Sequence, residues 1–124
     1  MDEKQIEKEI INAAIKIYKE LGPGLLLSAY NACLIYELNQ RKLSVKCDTP
    51  LPVHYADMTI NKGCIVDMIV ENCIIIDNLA VKTISELQIA RMQTLLKCSQ
   101  FQVGYILNWN NLLKKNGMLR IVRS

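Results

Sequence analysis

Residues 63–82, GCIVDMIVENCIIIDNLAVK, constrain the fold more than any other stretch. Two β-branched apolar runs, 64–70 and 73–76, flank a polar break at Glu71-Asn72, the pattern of a β-hairpin. Each run carries one carboxylate, Asp67 in the first and Asp77 at the end of the second. A carboxylate in a central-strand pattern is costly unless it is paired, bound to a cation or at the edge of the sheet. Register decides whether the two meet. A three-residue loop (Glu71, Asn72, Cys73) sets Asp67 opposite Asp77 on one face, whereas a two-residue loop sends them to opposite faces. In the first register the hairpin offers a carboxylate pair that can hold a divalent cation. The alternative is a pair of satisfied polar residues near strand ends.

The remaining chain supplies helices and edge strands around this hairpin. Ile6, Ile10, Ala13, Ile17 and Leu21 recur at helical spacing and predict a helix over residues 2–21, stopped by Gly22-Pro23-Gly24. A second helix is predicted at about 25–41, with Leu27, Tyr30, Asn31, Leu34 and Leu38 on one side. Residues 43–60 alternate as extended chain, and Pro50 and Pro52 restrict that segment to an edge strand or bulge. Ala56-Asp57-Met58 reads as a turn into a short strand at Thr59-Ile60, and Asn61-Lys62-Gly63 as the link to the hairpin. A third helix spans 84–98 with Ser85 as its N-cap, followed by a strand over 102–108. Asn116-Gly117 turns the chain into a last strand, Met118–Val122. The predicted order is α-α-β-β-β-β-α-β-β: an α/β (α+β) sandwich whose mixed sheet is flanked by helices.

At 124 residues, the expectation is a single domain, 1–124, and 51% hydrophobic residues suffice for a real core. The net charge of +3 permits nucleic-acid contact without arguing for it. Five cysteines without a CxxC, and a lone His54 far from them, speak against zinc and a disulfide framework, and fit a reducing cytoplasm. The N-terminus has no apolar signal segment, and no apolar run nears the roughly 18 residues of a membrane span.

Glu20-Leu21-Gly22-Pro23-Gly24-Leu25-Leu26, with Tyr30 six residues after Gly24, resembles the signature of the GxxExxY family in the PD-(D/E)XK nuclease-like superfamily. The resemblance continues through residues 49–55, Gly63 to Asp67, 74–81, the third helix up to Leu96-Lys97, and 104–108. It implies a restriction-endonuclease-like α-β-β-β-α-β core, with Asp67 and Asp77 as catalytic acids and as metal ligands for Mg or Mn. It also brings out departures. The helix glutamate is Leu27, the second acid is shortened to Asp77, the lysine two residues later is Leu79, and a basic residue before the first acid is Ile65. The third-helix glutamine falls on Arg91, with Gln93 close by.

Such nucleases use the metal to activate water, and the lysine offsets charge developing on the phosphate. Leucine does neither. Lys97 is the candidate for a migrated catalytic lysine; Lys82, five residues after Asp77, falls on the wrong strand face. Leu27, Ile65 and Leu79 are expected to pack together and close the old cleft. The first functional reading is therefore a catalytically impaired nuclease-like domain, a pseudoenzyme that binds nucleic acid (DNA before RNA) or a protein partner. The alternatives are a Mg- or Mn-dependent nuclease using Lys97, and a self-associating domain with no nucleic-acid role.

Overall fold

The computed structural model describes all 124 residues. Helices α1 (Glu3–Leu21) and α2 (Leu27–Gln40) precede strands β1 (Val45–Tyr55), β2 (Met58–Val70) and β3 (Ile74–Leu79). Helix α3 (Glu86–Cys98) then crosses to β4 (Val103–Asn108), and β5 (Met118–Val122) ends the sheet. The strands lie in the order β1-β2-β3-β4-β5. All neighbours are antiparallel except β3 and β4, the parallel pair that α3 connects. This is the mixed-sheet α+β architecture expected from the sequence.

Local chemistry sets the element ends. Asp2 accepts from the Gln5 amide to cap α1, and Gly22, at φ 70°, stops it in a conformation that favours glycine. Ser85 and Gln88 form a reciprocal capping box on α3. Helix α2 has no side-chain cap of its own; the Tyr30 hydroxyl instead accepts from the Leu25 amide and donates to the Gly22 carbonyl.

The strand count is one lower than predicted. Asn61-Lys62-Gly63 does not interrupt the chain: β2 runs unbroken from Met58, paired along its length with β1. The turn falls at Ala56-Asp57, with Ala56 at φ 51°. Gly63 lets β1 approach, because a Cβ there would collide with the Val53 side chain. β1 is an edge strand, and its register shifts between Leu51 and Val53, at Pro52.

The sheet divides two cores. Helices α1 and α2 bury Ile10, Ile17, Tyr30 and Leu34 against Met68, Ile74, Ile76 and Tyr105 on one face. Helix α3 buries Met92, Leu95 and Leu96 against Ile69, Ile75 and Ile106 on the other. Gly104 gives Met92 its seat, since a side chain there would meet the methionine sulfur. No helix is long and apolar enough to cross a membrane.

Candidate functional site

The hairpin between β2 and β3 has the three-residue loop. Val70 pairs with Ile74, Ile69 with Ile75 and Met68 with Ile76, a register that would set Asp67 opposite Asp77 one step further on. The ladder stops at that step. Val66 packs on the α3 face and Met68 on the α1–α2 face, so β2 rolls over at Asp67. Across on β1, Asp48 sits at φ 48° and the pairing skips it.

The Asp67 carboxylate is turned toward β3. Its Oδ2 accepts from the backbone amide of Asn78 at 2.9 Å and from the Asn78 side-chain amide at 3.1 Å. The carboxylate takes up a β3 donor beyond the last paired rung. Two such bonds explain how a half-buried carboxylate is tolerated in an interior strand.

Asn78 carries the connection through the sheet. It is buried, and its Oδ1 accepts from the Trp109 indole at 3.0 Å. The indole stacks on Tyr30, with ring centroids 4.8 Å apart and planes within 6°. Tyr30 in turn fastens the Gly22–Leu25 turn. Asp67, Asn78, Trp109 and Tyr30 form one continuous string from the acid to the α1–α2 loop. Nearby, Asn108 holds the chain after β3, accepting from the Val81 amide and donating to its carbonyl.

Asp77 lies on the α3 face of the sheet, with Ile75. It is 8% exposed, and its partner is Arg91, whose Nη1 donates to Oδ2 at 3.1 Å. Arg91 Nη2 also reaches the Ile65 carbonyl on β2, at 3.1 Å. Burial pushes the Asp77 carboxyl up, the Arg91 cation draws it back down, and Asp67 nearby pushes it up again; the net direction is upward. The two acids thus sense one another, but each is already engaged.

Lys97 does not join them. It is exposed, in the last turn of α3, six residues beyond Arg91, without a hydrogen bond or ion pair within the chain. Arg91 is the basic group that the crossover helix delivers to Asp77. Nor do the three apolar positions cluster. Leu27 packs with the α1–α2 core, Leu79 with the α3 core, and Ile65 is 53% exposed. The sheet lies between the first two, so no apolar plug of these residues closes a cleft.

Is this a place for a divalent cation? No third Asp, Glu, His or Cys gathers with the two acids. None of the four surface concavities is lined by Asp67 or Asp77. A guanidinium already bonds the more buried acid. The donor set does not fit a hard dication, which takes six or more oxygens or keeps several waters.

A second polar cluster has no signal in the sequence pattern. Glu7 of α1, Tyr105 of β4 and Arg120 of β5 meet at the far side of the sheet. Glu7 is buried, accepts from Tyr105 and Arg120, and is held below the usual carboxylate range chiefly by Arg120. Glu7 lies 98 residues from Tyr105 and 113 from Arg120 in the chain, and only the folded sheet brings them together.

No curated protein and no solved structure matches this chain. A family model of the PD-(D/E)XK nuclease superfamily matches residues 4–121. That span takes in all of the helices and strands but the first residue of α1 and the last of β5, and with them the two acids and the helix that supplies Arg91. The chain belongs to the PD-(D/E)XK nuclease superfamily.

Proposed function

We propose that this nuclease-like domain binds without cutting. In this reading it is a GxxExxY-type member whose acid pair has left catalysis and whose surface holds nucleic acid, DNA before RNA. One observation carries it: the ion pair between Arg91 and Asp77. Hydrolysis in this superfamily asks an acid pair to hold a metal and a neighbouring lysine to offset charge on the phosphate. Here Asp77 is engaged by Arg91 and Asp67 by Asn78, and Leu79 stands where the resemblance places the lysine. Losing one such charged group costs about 10²–10³ in rate. The half-exposed Arg91 guanidinium still offers N–H groups toward solvent, and phosphate oxygens are their natural acceptors.

Fluorescence anisotropy with labelled duplex and single-stranded DNA, in chelator, tests the binding. The expected result is metal-independent binding that weakens steadily as salt rises. No binding at low salt would remove the nucleic-acid role.

An apolar groove of about 320 Å³ between α1 and α2 favours a second reading, a protein partner or a second copy. Ile17, Leu21, Cys33 and Tyr36 line it, and Leu25 and Leu26 stand exposed on the adjoining loop. Sedimentation of the purified chain separates self-association from the first reading.

A further inference from the structure

We infer that the concavity between α1 and the edge strand β5 is a phosphate-binding site, formed by Lys4, Lys8 and Arg120 on the face of the sheet opposite the Arg91–Asp77 pair. The inference deepens the nucleic-acid reading and rests on it only for the source of the phosphate.

The concavity has a volume of about 320 Å³. Lys4 and Lys8, one turn apart on α1, line it together with Arg120, Glu7 and Tyr105. Three cations therefore meet a single carboxylate, and that carboxylate is already spent. Glu7 is buried and accepts from Arg120 Nε at 2.6 Å, from Arg120 Nη2 at 3.3 Å and from the Tyr105 hydroxyl. These bonds fix the guanidinium while its Nη1 keeps no hydrogen bond within the chain. The Arg120 side chain is half exposed. A cation held in this way loses little freedom when it takes a ligand.

The two lysines are exposed, and neither forms an ion pair. Like charges four residues apart on a helix oppose one another, and Arg120 adds a third. Lys4 helps to lower the Glu7 carboxyl, which places it beside the cluster. The other acids at this end of α1 are directed elsewhere. Glu9 pairs with Arg41, Asp2 caps the Gln5 amide, and Glu3 lines a separate concavity with Asn72 and Gln102. The excess of positive charge thus has no partner within the chain. A phosphate brings negative charge on several acceptor oxygens, which suits two ammonium groups and a guanidinium together. Because β5 ends the sheet, a nucleic-acid backbone has access along that edge.

The test variant is Lys4→Gln with Lys8→Gln, which leaves the Glu7–Arg120 pair intact. Lys46→Gln with Lys62→Gln removes the same charge from β1 and β2, at the other edge of the sheet, and serves as control. Fluorescence anisotropy with labelled duplex DNA is followed against salt. The plot of log affinity against log salt should be shallower by about one to two units in the test variant and unchanged in the control. In parallel, inorganic phosphate is titrated at constant ionic strength while the Arg120 side-chain resonance is followed. A saturable shift in the wild type that is lost in the test variant is expected. Such a shift with no DNA binding would support the site with free phosphate as its source, and would sink the proposed function alone. DNA binding whose slope the test variant leaves unchanged, with no phosphate shift, would overturn the inference and leave the proposed function standing. An equal loss of slope in the control would also overturn it. Neither DNA binding nor a phosphate shift would overturn both.

Discussion

Asp77 and Glu7 are both buried carboxylates facing an arginine, yet they are pushed in opposite directions. Asp77 receives one hydrogen bond from Arg91, and burial outweighs it. Glu7 receives two from Arg120 and one from Tyr105, and these outweigh its burial. The folded state therefore binds a proton more tightly than the unfolded chain at Asp77 and less tightly at Glu7. From Asp77, stability is highest below the ordinary aspartate range and declines as pH rises through its raised value. From Glu7, stability is present above the ordinary glutamate range and is lost as pH falls through its lowered value.

Two variants read out the opposite signs. Between roughly pH 3 and 7, Asp77→Asn should gain stability relative to wild type as pH rises, and Glu7→Gln should lose it. Urea midpoints at several pH values check both. At neutral pH the Glu7→Gln loss should be about 1.5–3 kcal/mol, the range for hydrogen bonds to a charged group, toward the low end because Arg120 is half exposed. Parallel pH profiles for the two variants would contradict this account of both sites.

At the scale of elements, strands are easier to read than helices. Period-two alternation in a hairpin fixes register, so the loop length at Glu71-Asn72-Cys73 can be argued from residues alone and is what the structure has. Pro50 and Pro52 likewise mark β1 as an edge. Alternation says nothing about a strand that rolls about its axis. At the roll, Asp67 bonds the Asn78 amide of β3, while Asp77 pairs with Arg91 beneath α3. A helical stripe identifies a buried face but not the side of the sheet on which it packs. Hence sequence alone groups Leu27 with Leu79, although the sheet separates them.

This separation has a thermodynamic consequence. Leu27→Glu and the Asp77→Glu, Leu79→Lys pair should destabilise independently, because they share no packing partners. Urea midpoints of the single, double and triple variants should give losses that add within about 0.5 kcal/mol. A triple variant much more stable than the sum would show the introduced glutamate and lysine paired through a common cleft.

Across the whole molecule, the fold and the acid positions are legible in the sequence, and the partners of the acids are not. Arg91 lies 14 residues from Asp77, and Trp109 lies 31 from Asn78. Both distances are closed by the α3 crossover and the turn after β4, whose geometry no local pattern encodes. The stack of Tyr30 on Trp109 follows the same rule: helical spacing marks Tyr30 as a core aromatic but not as a brace joining the first loop to Asp67 through Asn78. A superfamily scaffold is thus kept whole while the charges at its acid pair are satisfied from within the chain. Metal-dependent cleavage tests that claim most directly. Supercoiled plasmid and single-stranded DNA, incubated with excess protein and either magnesium or manganese, should remain intact over hours. Nicking that requires the metal and disappears in both Asp67→Asn and Asp77→Asn would contradict it.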